Sequence, residues 1–313
     1  MDNQSVTTNK FDDEIDLREL FGALWSGKIK IIVITAIFAV VSVFYALSVP
    51  NQYKATALLA PAQSDGSGLS SALGQLSGLA SFGGFNLGRQ EADESKVAQE
   101  IMKSWSFVEG FIADNELAVE VYAAEGWNKL SNELVINDDI YDVDLREWLL
   151  EDDESDALRP PTSWELFERF QKILSVSEDK KSGLVSVSIE YYSPQIAKNW
   201  VDSYVSSINR HMQSRQVAKV SNNIDYLKAQ IDKTSIAEMR EVFYTIIEEQ
   251  TKNKMVAEAS PDYAFVAVSP SMVPEQKSKP KRALICILGT LLGGMLSVLL
   301  VLVGHYARAS DKN

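Results

Sequence analysis

The chain has 313 residues, of which 46% are hydrophobic and 23% charged, and a formal net charge of −13. That balance suits a folded protein, while the acidic excess argues against nucleic-acid binding, which sets clustered Lys and Arg against phosphates. One cysteine, Cys286, excludes an intrachain disulfide, and with only His211 and His305 beside it, well separated in different segments, no Cys/His metal cluster is expected.

Met1 to Asn9 is polar. Phe11 to Trp25 then carries Leu17, Leu20, Phe21, Leu24 and Trp25 at helical spacing, one apolar face of a short helix. Ile31 to Val49 follows without a charge, and Ala283 to Tyr306 near the other end has no Asp, Glu, Lys or Arg. Each run is long enough to cross roughly 30 Å of hydrocarbon. Ala46 and Ser48 resemble a cleavage site, but the acid-rich lead and the long apolar core predict an uncleaved anchor instead. Two spans put both termini on one side. Lys28 and Lys30 before the first span agree weakly with a cytoplasmic amino terminus. Lys277, Lys279, Lys281 and Arg282 before the second run against it, although a long intervening loop weakens the rule.

Between the spans, Tyr53 to Ala60 reads as a strand ended by Pro61. Gln63 to Gly88 is rich in Gly, Ser and Leu and too apolar for a free linker, so it is expected to pack on something. Glu91 to Asn115 reads as one helix and Trp127 to Leu134 as a weaker one. Glu133 to Asp156 is strongly acidic and reads as an exposed loop without calcium-loop spacing. Trp164 to Leu174 is a short helix behind a Thr162-Ser163 cap. Leu184 to Tyr192 alternates cleanly as a strand, and Tyr263 to Val268 is a third.

Gln195 to Ala259 contains no Gly or Pro and is bracketed by Ser193-Pro194 and Ser260-Pro261. Its apolar residues recur at helical spacing, from Ile196 and Trp200 to Ile246 and Ile247. One helix of that size would reach roughly 100 Å. The spacing slips near Val217 and near Thr234, where a kink or a change of packing partner is expected. The predicted fold class is α+β: two transmembrane helices flanking a domain with a membrane-proximal α/β base and a long projecting helix over about 195–259.

Nothing in the sequence selects a catalytic, cofactor or metal site. There is no G-x-x-x-x-G-K-[S/T] phosphate loop and no Ser/His/Asp set, so no enzyme activity is expected. His211 reads as a solvated surface residue, and Trp127, Trp148 and Trp164 as packing residues rather than sugar platforms. The second span does hold a G-x-x-x-G step, Gly289 to Gly293, with Gly294 beside it, which lets helices approach closely. Its partner is the first span, the same span in another copy, or another membrane protein.

These stretches together resemble one family. Ile15-Asp-Leu-Arg-Glu-Leu-Phe21 with Leu24-Trp25 and Lys28 looks like the amino-terminal signature of Wzz-type chain-length determinants, the bacterial polysaccharide co-polymerases. Gln52-Tyr-Lys-Ala-Thr-Ala57 resembles their first strand, the Gly/Leu/Ser stretch 66–88 their composition there, and Ser193-Pro194 to Trp200 the start of their long helix. Pro270, Pro274, Pro280, Lys281 and Arg282 with the glycines resemble their proline-rich approach to the second span. The proline repeat is sparser here, Val268-Ser-Pro-Ser-Met272 stands where the family has Ile-Asp-x-Ala, and the acidic run 138–156 is private to this chain. The resemblance implies a kinase-free protein of the bacterial inner membrane. Segments 1–28 and 307–313 would be cytoplasmic, 29–49 and 283–306 transmembrane, and 50–282 periplasmic. It further implies a ring-like homo-oligomer that acts, without catalysis or cofactor, with a membrane polysaccharide polymerase. That assembly would set the modal length of a lipid-linked, O-antigen-like glycan and could touch the growing chain. An envelope scaffold or transport adaptor, or a periplasmic sensor subunit, is the alternative.

Overall fold

The structure, a computed structural model, describes residue 22 and residues 24–62, 87–152 and 155–310. The amphipathic stretch 11–25 and the Gly/Leu segment 63–86 therefore lie almost wholly outside the described residues. The chain divides into two compact units, Pro50–Ser278 and the two terminal segments Met1–Val49 with Lys279–Asn313.

The larger unit is built on a four-stranded antiparallel sheet. Its strands are β1 (Tyr53–Pro61), β8 (Leu174–Glu178), β9 (Val185–Tyr191) and β10 (Phe265–Ser269), in the order β10-β1-β9-β8. Register follows the period-2 pattern. Ala55, Ala57 and Leu59 oppose Ile189, Val187 and Val185, and all six are buried on the core. The hydroxyls of Thr56 and Ser188 meet across the same ladder at 3.0 Å. β8 was missed from sequence because its Ser and Glu residues dilute a short edge strand.

Between β1 and β8 lie α2 (Leu87–Lys103), α3 (Trp105–Asp114), α4 (Ala118–Ala123) and α5 (Ser163–Ile173). The single helix expected over 91–115 is interrupted at Ser104. That residue turns extended, accepts a hydrogen bond from the Phe107 amide and donates its hydroxyl to the Ile101 carbonyl. A local cap of this kind overrides a continuous apolar period. Thr162 caps α5 in a reciprocal box with Glu165.

The region read as a weak helix and an acidic loop is instead three short hairpins. They are β2 (Ala124–Asn128) with β3 (Glu133–Ile136), β4 (Tyr141–Asp142) with β5 (Glu147–Trp148), and β6 (Leu150–Asp152) with β7 (Ser155–Arg159). Two of the turns share one chemistry. The Asn128 side chain accepts from the amides of Leu130 and Ser131, and Asp142 from those of Asp144 and Leu145. Asn132 and Arg146 then close the turns at positive φ. Asx turns give these polar residues a local structural use that net charge alone does not reveal.

The long helical stretch is also divided. α6 (Pro194–Lys233) and α7 (Ala237–Ala259) are separated at Thr234 to Ile236, where the cap residues turn extended. The two helices run back along each other as an antiparallel hairpin. The Gln213 amide donates to the carbonyls of Ala257 and Ser260 at 2.9 and 3.0 Å, so the end of α7 lies beside the middle of α6. The expected single helix over 195–259 is therefore replaced by a 40-residue helix, about 60 Å long, and a 23-residue return. The slip at Thr234 is a true break; α6 runs through Val217 without one.

In the smaller unit, α1 (Lys28–Ser48) and α8 (Arg282–Ser310) pack antiparallel along one seam. Both are long and apolar enough to cross a membrane.

Candidate functional site

Two places hold the residues singled out from sequence: the seam of the terminal helices, and the first turns of α6 with the proline segment beside it.

In the seam, the glycines stand in for missing side chains. A Cβ on Gly289 would come within 2.5 Å of the Ser42 Cβ, and one on Gly293 within 2.4 Å of the Phe38 Cβ. At the far end a Cβ on Gly27 would meet Val301 at 2.4 Å. Such approach is the use of small residues in helix pairs that have no hydrophobic drive in lipid. Gly294 differs: its nearest neighbour would be the Thr35 hydroxyl at 3.9 Å, an ordinary contact. Ser297, fully buried, meets the Thr35 hydroxyl at 3.4 Å and also donates to the Gly294 carbonyl. The Arg282 Nε donates to the Ala46 carbonyl at 3.0 Å and so ties the start of α8 to the end of α1. Of the three partners the step allowed, the first span is the one seated on Gly289 and Gly293. Gly27 was missed although Ala23 stands four residues before it, because the pair lies ahead of the uncharged run rather than inside it.

In the larger unit, Ser193 caps α6 and Pro194 occupies its first turn. Trp200 is a core residue, with its ring 4.4 Å from that of Tyr191. Tyr204, one turn on, is fully buried among Phe107, Phe111 and Phe170, with centroids 4.8 to 5.7 Å away. Its hydroxyl donates to the Met102 carbonyl. Burial pushes the phenol of Tyr204 up, as it does that of Tyr191, whose hydroxyl donates to the Glu120 carbonyl. Both stay neutral donors. Asn209 is buried and fully used: it donates to the Phe265 carbonyl and accepts from the amides of Ala264 and Phe265. That clasp ties the middle of α6 to the start of β10.

Pro270 and Pro274 lie in an irregular stretch between β10 and the second span. Ser271 pins this stretch to α6, donating to the Lys198 carbonyl and to the Asp202 carboxylate, which also pairs with the Lys198 ammonium. Further on, the Ser278 amide and hydroxyl both donate to the Gln52 carbonyl. Pro280 follows a cis bond; its carbonyl accepts from the Arg282 amide, and the Lys281 carbonyl accepts from the amides of Leu284 and Ile285. Prolines here remove backbone donors, and serines supply the bonds that fix the path.

Among the described residues no group of three His, Cys, Asp or Glu is placed to hold a metal.

The profile described as "Chain length determinant protein" (Wzz) matches residues 13–115, from the amino-terminal segment through α3. A second, described as "G-rich domain on putative tyrosine kinase" (GNVR), matches residues 236–306, from the start of α7 through the second span. About a third of the chain, residues 13–115, thus matches the Wzz-type chain length determinants. The two matches bracket the chain at both of its apolar helices and leave the hairpins, β8, β9 and α6 to the stretch between. No curated protein matches it significantly. Among solved structures, a full-length bacterial polysaccharide co-polymerase is 13% identical over 95% of this chain and 100% of its own, with a TM-score of 0.45. A fragment of WzzB, the polysaccharide co-polymerase from Salmonella Typhimurium, is 11% identical over 73% of this chain and 100% of its own, with a TM-score of 0.30. The profile matches, not these distant likenesses, carry the similarity to that family.

Proposed function

We propose that this Wzz-type protein regulates the modal chain length of a lipid-linked, O-antigen-like surface polysaccharide as a non-enzymatic partner of the polymerase. The observation that carries the reading is the pair of Wzz and GNVR matches at the two ends of the chain. Residues 29–49 and 283–306 then span the inner membrane, 50–282 are periplasmic, and both termini are cytoplasmic. The spans pair with each other through Gly289 and Gly293, and the polymerase contacts the faces of the pair turned away from that seam.

The protein works as a ring-like homo-oligomer. Support comes from the hairpin, which exposes Met239, Val242 and Tyr244 on one helix, Tyr226 on the other and Ile236 in the break between them. Clustering of exposed apolar side chains marks a contact surface, and neighbouring copies supply the cover. The reading needs neither cofactor nor metal.

The test is deletion of the gene followed by electrophoresis of extracted glycolipid. A broadened or shifted length distribution that the wild-type gene restores supports the reading; an unchanged distribution overturns it.

A further inference from the structure

Leu130 is 99% exposed, at the tip of the β2–β3 hairpin. The turn that carries it is fixed. The Leu130 amide donates to the Asn128 side chain, and the Trp127 indole donates to the Asn132 side chain at 3.2 Å. The tip presents Trp127, Lys129 and Leu130 with no acid between Trp127 and Asn132. The β4–β5 tip uses the same Asx chemistry and exposes Val143 and Leu145, but Asp142 and Asp144 stand among them. A ring, an ammonium and a free aliphatic side chain on one tip suit the boundary between water and lipid. The ring and the long cation bridge the polar layer, and the aliphatic end enters the hydrocarbon.

Chain length bounds how far this tip stands from a bilayer. The Trp127 ring lies 6.0 Å from that of Tyr53, edge to face. Tyr53 is the fifth residue after Ser48, the last of α1. At roughly 3.5 Å per residue the chain allows at most about 18 Å between the two. Gln52, one residue earlier, accepts from Ser278, four residues before α8 begins at Arg282. The chain therefore tethers this end of the larger unit to both apolar helices. We propose that the β2–β3 tip enters the bilayer surface, with Leu130 among the upper acyl chains and Trp127 and Lys129 in the headgroup layer. The occupant of the tip is a lipid surface. The acidic β4–β5 tip stays in water. The inference rests on α1 and α8 spanning a membrane, as in the reading above, and on nothing about glycan length.

The test uses the full chain with Cys286→Ala, in phospholipid nanodiscs, carrying a fluorophore on one introduced cysteine. The positions are Ser131→Cys beside the tip, Val143→Cys on the acidic tip and Leu292→Cys on the exposed side of α8. The Ser131 label should be quenched by lipid spin-labelled on its acyl chain and shielded from aqueous iodide. The Val143 label should behave in the opposite way. Adding Leu130→Ser to Ser131→Cys should lower the ratio of inserted to free tip about tenfold, the worth of one leucine side chain taken out of water. The melting temperature should not move, because that side chain is exposed. Equal iodide access at Ser131 and Val143 overturns the proposal, as does unchanged quenching in the Leu130→Ser variant. Shielding from iodide without quenching by the lipid also overturns it and assigns the tip to a neighbouring copy. The Leu292 label separates two failures. Quenching there but not at Ser131 removes the hairpin inference alone; quenching at neither removes the spanning reading with it.

Discussion

Pro194 to Met212 and Val217 to Lys233 belong to one uninterrupted helix, yet their surroundings differ. The first part lays Ala197, Trp200, Val201, Tyr204 and Ile208 onto the sheet and the aromatic cluster. The second has Val220 and Ile224 as its only buried apolar residues, against a single return helix in which Ala257 alone is buried. Helix propensity does not separate the two parts. Most helical stability in proteins comes from burying one face, so the first part is held by its own unit and the second by whatever completes its cover. The slip in spacing at Val217 marks the point where the partner changes from sheet to helix.

The largest effect that tests this contrast is in the base. Tyr204→Ala empties the centre of the aromatic cluster and should cost about 3–5 kcal/mol, as aromatic-to-alanine core changes do. Thermal unfolding of the purified full chain followed by circular dichroism measures it. Tyr204→Phe, which strands the Met102 carbonyl, should cost about 1–3 kcal/mol. If Tyr204→Ala melts like wild type, the division into a self-sufficient base and a dependent hairpin is wrong.

Ile224→Pro acts on the other side of the contrast. It removes an intrahelical bond and clashes with the preceding turn, at about 3 kcal/mol or more. The loss should stay local. Hydrogen exchange should quicken across Val220 to Ala259 while β9 and the first turns of α6 keep their protection, and the oligomer should fall apart. A uniform loss of protection would mean that hairpin and base form one cooperative unit.

A third comparison sharpens the role of close approach. Gly293→Leu forces a side chain into Phe38, an overpacking worth about 1–3 kcal/mol, whereas Gly294→Leu meets only an ordinary contact with Thr35. Disulfide trapping between cysteines placed at Phe38 and Gly293 neighbours should fail in the first variant and persist in the second. Equal trapping would remove Gly293 from the seam.

Much of this was legible in the sequence where one physical signal dominates. The uncharged runs read as spans, and the alternation Val185, Val187, Ile189, Tyr191 reads as a strand because burial on one face leaves a period of two. Where local side-chain bonding competes with periodicity, the sequence misled. Ser104 splits one apparent helix, and Asn128 and Asp142 build turns inside a stretch that looked like helix and loop. The reversal at Thr234 to Ile236 uses neither Gly nor Pro, so only the slipped spacing announced it. For the glycines, the step Gly289 to Gly293 was visible, but which face meets the first span depends on the helix pair, as the contrast with Gly294 shows.

The smallest effect expected is acid sensitivity confined to the base. Glu165 is held at about pKa 2, below the ordinary 4.5, chiefly by its hydrogen bonds from Arg159, with Thr162 adding to them and burial opposing. The Arg159 fork reaches both carboxylate oxygens at 2.9 and 3.0 Å. Because the folded value lies below the unfolded one, the stabilisation is present above about pH 4.5 and is lost as pH falls toward 2. The pair is partly exposed, so about 1 kcal/mol is a reasonable size. Glu165→Gln should lower the melting temperature slightly at pH 7 and flatten its fall between pH 4.5 and 2. The hairpin carries Glu248, also held low, by the Lys252 ammonium beside it, but fully in solvent. Substituting Glu248 should leave the acid limb unchanged. If instead Glu165→Gln keeps the full acid slope and Glu248→Gln removes it, the acid-sensitive element is the hairpin, and α5 with its cap does not set the stability of the base at low pH.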